Sequence, residues 1–303
     1  MVKSFPNSTN GFESWDKVQM EEVTKLLGLR LSNVEYTLES RDGDFYRGTD
    51  RIIELLSPVN CTEKLVRIGK LSDGGYVIAE LINSKGNDFV INLGVGSEVS
   101  ADISLLHAGY SVLAVDGTVG NPLPDEEHFE FVHRNIGYSK NSENEITYRS
   151  LIEDYGLKRN VNLLLIDIEG FEYSLFQKES ELLTEANQIV IEFHALELLG
   201  DPKFRKVITY MLETIRMSHS PIRVHGNNAG GSLALGGCSF PCILGVTFLK
   251  NSYCTRSRNF GPFPGELDFP NVPIRPDIDL TPLFGSKPDY AILPRNVLNS
   301  IET

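Results

Sequence analysis

The chain has 303 residues, 41% of them apolar and 23% charged, proportions of an ordinary globular protein of one or two domains with a large core. A formal net charge of -13 excludes a general nucleic-acid binder, whose affinity would come from clustered Lys and Arg, and disfavours docking on an anionic membrane. No apolar run approaches the roughly 18 residues of a membrane span. The stretch MVKSFPNSTNGFESWDK lacks the apolar core of a secretory signal, so the cytoplasm is the expected compartment.

Residues 1–60 read as an N-terminal extension with helical pieces. VQMEEVTKLLGL, residues 18–29, has apolar positions at helical spacing and Gly28 where a left-handed cap could sit. DRIIELLS, residues 50–57, predicts a second short helix, and RDGDFYRG before it reads as loop. The four cysteines, Cys61, Cys238, Cys242 and Cys254, are too few for a disulfide framework and lack paired zinc-ligand spacing. They are expected as free, buried thiols.

From about residue 86 short apolar runs alternate with amphipathic stretches. The runs are DFVINLG, YSVLAVDG, FEFVHRN, NLLLIDIEG, QIVIEFH and ILGVTFLK. They are β-branched and mostly not alternating, as expected for strands covered on both faces. DPKFRKVITYMLETIRMS predicts a helix, with Asp201 at the N-cap, Pro202 in the first turn and one apolar stripe from Phe204 to Ile215. Such alternation implies an α/β fold: a doubly wound, mostly parallel sheet with helices on both faces. Residues 61–254 form that domain. Residues 255–303, rich in Pro and Gly, read as an irregular tail packed on the core.

In such a sheet, ligands bind beyond the carboxyl ends of the strands, near the point where strand order reverses. The first strand ends INLGVGSEVS. Gly94 and Gly96 permit a tight turn and close approach of a ligand; a plain strand-to-helix turn would use them equally well. Asp116 closes the second strand, 22 residues after Gly94, near the separation expected for a carboxylate on ribose hydroxyls. The third glycine of a dinucleotide fingerprint is Val99 here. A ligand with a ribose but no pyrophosphate, such as S-adenosylmethionine, therefore suits the loop better. Asp167 ends the strand NLLLID, and Glu192 and His194 end QIVIEFH. His225, Asn227 and Asn228 follow in RVHGNNAGG. Successive strands thus deliver acids and imidazoles to one rim, although a single acid there can also cap a helix, as Glu172 would.

These residues resemble the FkbM-type methyltransferases and related methyltransferase-like proteins. LLLIDIEGFE is similar to the family's K-x-D-x-E-G-x-E signature. IGKLSDGGYVI resembles its D-G-G-Y element, and VIEFHAL, VHGNN and ILGVTFLK resemble its closing strands. The resemblance covers residues 65–250 and implies a class I methyltransferase, Rossmann-like domain. It further implies S-adenosyl-L-methionine as cofactor and a hydroxyl on a sugar, glycan or other small molecule as acceptor. Carried over, Asn92, Gly94, Gly96 and Asp116 lie along the cofactor, and Asn135 and Ile136 lie near its adenine. Asp167, Glu169, Glu192, His194 and His225 line the acceptor side. Asp73 and Tyr76 close the pocket or merely form a turn. The usual motif acid is Asn92 here, a glycine is Glu98, and the signature lysine is Leu165. An inactive methyltransferase-like binding protein therefore stays open, and the first two strands alone would also fit an NAD-dependent dehydrogenase.

An alcohol needs a base or a metal to become a nucleophile near neutral pH. His194 is the expected base. The alternative is a divalent ion such as Mg²⁺ held by Asp167 with Glu192 or His194.

Overall fold

The computed structural model describes residues 43–80, 89–138, 142–157, 161–235 and 238–285. The chain divides into two compact units, Met1–Ser32 and Asn33–Thr303, and all described residues lie in the second. The helix expected at residues 18–29 and the tail beyond residue 285 lie outside them.

In chain order the elements are α1 (Gly43–Leu56), β1 (Val59–Cys61), β2 (Leu65–Ile68), β3 (Tyr76–Ala79), β4 (Phe89–Leu93), α2 (Ser100–His107), β5 (Ser111–Val115) and β6 (Phe129–Val132). Next come β7 (Asn135–Ile136), β8 (Glu145–Ile146), α3 (Tyr148–Asp154), β9 (Val161–Ile166), α4 (Glu172–Leu183), β10 (Gln188–Phe193) and α5 (Pro202–Arg216). The chain continues through β11 (His219–Gly226), β12 (Ser232–Leu235), β13 (Cys238–Pro241), β14 (Leu244–Lys250), β15 (Cys254–Arg258) and α6 (Thr281–Phe284).

Seven strands form the central sheet in the order β11-β14-β10-β9-β4-β5-β6. β9, β4, β5, β6 and β10 run parallel, and β14 is antiparallel between β10 and β11. This is the doubly wound, Rossmann-like order expected of a class I methyltransferase domain. The strand order reverses between β4 and β9, so the ends of those two strands bound the crevice.

Burial explains the apolar runs. Every residue of β9 and β10 is buried, and successive side chains go to opposite faces. Ile91, Leu164, Ile189 and Ile191 meet α1, α3, α4 and α5 on one face; Val90, Leu163, Leu165 and Val190 meet α2 on the other. Asp201 caps α5 through Lys203 N, and Phe204, Ile208, Met211, Leu212 and Ile215 are buried along its inner stripe.

The structure departs from expectation in four places. RDGDFYRG is helical from Gly43, because α1 continues into Ile52, Leu55 and Leu56, which the core buries. The tail begins as strand β15, antiparallel to β1, before becoming irregular. The cysteines are free, but only Cys242 is buried; Cys61 and Cys254 are half-buried cross-strand partners. β12 and β13 form a hairpin that the Gly- and Ser-rich sequence does not announce.

Beyond β15 the chain crosses the β11 side of the sheet as a strap. Phe263, Leu280 and Phe284 enter the main core, with Phe263 and Phe284 edge to face at 6.3 Å. Arg223 of β11 pairs with Asp268 and lies over the Phe263 ring. Phe263→Ala is expected to cost about 3–5 kcal/mol, as for other fully buried aromatics. Urea unfolding measures this, and a loss under about 1 kcal/mol would contradict the packing of the strap.

Candidate active site

The reversal point of the sheet carries the site. Gly94 follows β4 with φ +86°, and a Cβ there would stand 1.8 Å from the carbonyl oxygen of Asp167. Asp167 N in turn donates to Leu93 O at 2.9 Å. The turn after β4 and the turn after β9 therefore touch through backbone. Gly96 has φ +57°, and no atom lies within 4 Å of where its Cβ would be. Its Cα faces open space at the mouth of the turn.

Asp116, at the end of β5, faces this turn. Its Oδ2 accepts from Gly96 N at 2.8 Å, and its Oδ1 accepts from the amide and hydroxyl of Thr118, both at 2.6 Å. Burial opposes its charge, but these donors outweigh burial and hold its carboxyl below the usual range. Asn135 Oδ1 accepts from Gly117 N at 3.2 Å, so Asn135 stands beside the turn that follows Asp116, while Ile136 packs against the main core.

Asn92 is different. It is buried below the turn, and its Nδ2 donates to Asp102 Oδ1 at 2.9 Å. That bond ties the end of β4 to α2 beneath the glycine turn. Asp102 is fully buried, its Oδ2 has no partner, and burial pushes its carboxyl up to about 6 against the hydrogen bond from Asn92. Glu98, in the place of a motif glycine, pairs with Lys70. Lys70 N and Gly69 N donate to Ser100 and Ser104 Oγ, which docks the D-G-G-Y hairpin on α2.

Asp167, Glu192 and His194 come together as expected: one ligand-type atom from each lies within 4.8 Å of the others. His194 Nε2 is 3.6 Å from Asp167 Oδ1 and 3.5 Å from Glu169 Oε2. Asp167 Oδ1 is buried without a hydrogen bond. Burial, reinforced by the like charge of Glu192, raises the Asp167 carboxyl far above its ordinary range. For His194, burial favours the neutral ring, but Glu172, Glu192 and Asp167 prevail and raise it to about 9.

The first turn of α4 fixes this cluster. Glu172 is fully buried; its Oε1 accepts from His194 N at 2.7 Å and its Oε2 from Gly170 N at 2.8 Å. Tyr173 OH donates to His194 O at 2.6 Å. The backbone of His194 is thus held on both sides. Glu172 reads as a helix cap in the sequence, yet its second role needs only the fold to bring β10 alongside. Asn227 Nδ2 donates to Glu192 Oε1 at 2.6 Å and orients it. Among the described residues, the non-glycine positions with left-handed backbone are Glu169 (φ 56°) and Ala195 (φ 58°), one beside each arm of the cluster. Strain of this kind persists where surrounding structure over-determines it, often at functional sites.

His225 is not in the cluster. Its Nε2 lies 3.0 Å from Asp277 Oδ2 of the strap. It lines a neighbouring cavity with Glu192, Tyr76, Arg67, Arg223 and Asn271. The D-G-G-Y element does reach this cavity: Tyr76 lines it, and Asp73 Oδ1 accepts from Asn271 Nδ2 at 2.8 Å. Asp268 and Asn271 make the strap one wall of this cavity.

The sequence matches the Methyltransferase FkbM domain over residues 58–217, more than half of the chain. The chain belongs to the FkbM methyltransferase family. No curated protein matches it. Among solved structures, a chain of a fibrillarin/Nop5p complex aligns with 11% identity and TM-score 0.35, covering 56% of this FkbM-family chain and 75% of that one. A variant of the 16S rRNA (adenine(1408)-N(1))-methyltransferase from Catenulisporales acidiphilia aligns with 11% identity and TM-score 0.32, covering 54% and 84%. No described helix of this FkbM-family chain is long and apolar enough to cross a membrane.

Asp102 yields a test of the platform below the glycine turn. Its folded value, about 6, lies above the ordinary 3.8, so the folded state binds the proton more tightly. Its contribution is present at pH below about 4 and is lost as pH rises through about 6. Asp102→Asn is therefore expected to stabilise the protein at pH 8 by up to about 3 kcal/mol, with no gain at pH 4. Denaturant unfolding at the two pH values measures this, and equal stabilities at pH 8 would contradict the burial.

Proposed function

We propose that the protein is an S-adenosylmethionine-dependent methyltransferase acting on a hydroxyl of a sugar or other small molecule. The observation that carries this reading is the meeting, at one reversal point, of the Gly94–Gly96 turn with Asp116 on one side and Asp167, Glu192 and His194 on the other. S-adenosylmethionine would supply an electrophilic methyl group on a sulfonium. Gly96 offers open backbone for its methionine part, and Asp116 Oδ2 keeps a lone pair for a ribose hydroxyl. Asn135 and Ile136 would flank the adenine. The acids beyond Gly94 place negative potential around the cationic sulfur.

On the acceptor side, Glu192 and Tyr76 border the cavity that would admit the substrate, and Glu169 lies at the exposed rim. Aligning the acceptor hydroxyl with the methyl group is the main task, because the displacement is in line. His194 remains the proton acceptor favoured here. Raised to about 9 in the ligand-free cluster, it starts as the imidazolium at neutral pH. Beside a bound sulfonium the imidazolium would be disfavoured, so His194 could release its proton to solvent and offer Nε2 to the hydroxyl proton. A divalent ion on Asp167 with Glu192 or His194 is the other route to the same end. A dehydrogenase reading leaves the cluster unexplained. The binding-protein reading leaves the backbone-pinned His194, flanked by the left-handed Ala195, without a purpose.

Calorimetric titration tests the cofactor half. S-adenosylmethionine and S-adenosylhomocysteine should bind, and NAD should not. Asp116→Ala should weaken binding by about 1.5–3 kcal/mol through lost charge-assisted hydrogen bonds. Unchanged affinity in that variant, or preference for NAD, would refute the assignment. For turnover, His194→Ala should slow transfer by about 10² or more, read as loss of a product one methylene heavier than its acceptor.

A further inference from the structure

We propose that Asp167, Glu192 and His194 form a binding site for a first-row divalent transition-metal ion, with Mn²⁺ or Zn²⁺ preferred to Mg²⁺. The three side chains leave the ends of the adjacent parallel strands β9 and β10, and their ligand-type atoms lie within 4.8 Å of one another. This is more than a collection of surface acids. The His194 side chain is 6% exposed, and its Nε2 makes no hydrogen bond while pointing at Asp167 Oδ1 and Glu169 Oε2. Those two oxygens stand at 3.6 and 3.5 Å, beyond the length of a charge-assisted hydrogen bond. Asp167 Oδ1 is buried and also unpartnered. Atoms able to ligate a cation thus converge from three side chains, and Asp167 Oδ1 and His194 Nε2 are not engaged by a hydrogen bond of normal length.

The surrounding shell supports the same reading. Glu172 Oε1 stands 3.4 Å from His194 Nδ1, and both its oxygens are held by backbone amides. In the neutral ring that a metal binds, a carboxylate beside Nδ1 favours the proton there and leaves the Nε2 lone pair facing the cluster, as in a carboxylate–histidine–metal arrangement. Asn227 Nδ2 fixes Glu192 Oε1 from the other side. Positive φ at Glu169 and Ala195 shows backbone strain spent next to the ligands. The imidazole decides the ion class. Mg²⁺ and Ca²⁺ take oxygen ligands almost exclusively, whereas one nitrogen with two carboxylates suits Mn²⁺, Fe²⁺ or Zn²⁺. In the function proposed above, such an ion would sit where the acceptor hydroxyl enters, but the site itself rests only on the cluster geometry.

The test uses Mn²⁺ alone, without cofactor or acceptor, on protein first treated with a chelator. The fall of the free Mn²⁺ electron paramagnetic resonance signal gives stoichiometry and affinity. One ion per chain is expected. Asp167→Asn, Glu192→Gln and His194→Gln should each weaken binding by about 10-fold or more, and Asn227→Ala by about 10-fold. His128→Gln, on the exposed surface, should leave it unchanged. Excess Mg²⁺ should displace Mn²⁺ only at concentrations at least about 10-fold higher. Pulsed measurements should show nitrogen coupled to the bound Mn²⁺ in the wild type and none in His194→Gln. Circular dichroism identifies any variant that fails to fold, and the wild-type nitrogen coupling then decides alone. No stoichiometric binding to folded wild-type protein, binding that survives the folded variants, equal affinity for Mg²⁺, or bound Mn²⁺ without nitrogen coupling would overturn the proposal. Because no cofactor is present, such a failure would leave the methyl-transfer reading standing.

Discussion

The contact between Gly94 and the carbonyl of Asp167 is the constraint on which the rest of the site depends. Two strands that diverge in order across a doubly wound sheet must still turn upward side by side, and here their turns meet backbone to backbone. A side chain at Gly94 would stand 1.8 Å from that oxygen in a left-handed conformation. Only glycine satisfies both conditions. The consequence is that the turn after β4 and Asp167 cannot move independently. Asp116, bonded to Gly96 two residues further on, joins the third strand end to the same unit.

Electrostatics then explains why such a hydrophobic segment ends in acids. β9 and β10 are buried throughout, so their ends are the first places where polar groups can emerge. Placing Asp167 and Glu192 side by side there costs stability, which shows as a proton held by Asp167 well above its usual range. The fold offsets that cost through well-satisfied neighbours. Glu172 and Tyr173 pin His194, Asn227 holds Glu192, and the strap holds Arg223, His225 and Asn228 through Asp268, Asp277 and Val272. A negatively charged rim of this kind is complementary to cations, whether a sulfonium or a metal ion.

The strands were readable because both faces of the sheet are covered, leaving long β-branched runs such as VNLLLI and QIVIEF. Asp167, Glu192 and His194 were readable for the same reason, since topology alone sends parallel strand ends to one edge. Other features depended on tertiary partners. RDGDFYRG carries loop-type residues, yet burial of Ile52, Leu55 and Leu56 extends the helix back through it. Pro221 obscures β11, which tolerates it as an edge strand with an irregular register between Pro221 and Arg223. Asn92 and His225 sit at motif positions, but Asp102 and Asp277 claim them through contacts that only the folded packing makes. Glu172 looked like a cap because its contact with His194 spans two elements.

A crystal structure of the protein with S-adenosylhomocysteine tests the central claim most directly. The ribose is expected against Asp116, the sulfur passing the Gly94–Gly96 turn, and the former methyl direction aimed at Asp167, Glu192 and His194. A nucleoside bound at another edge of the sheet, or a sulfur turned away from that cluster, would contradict it.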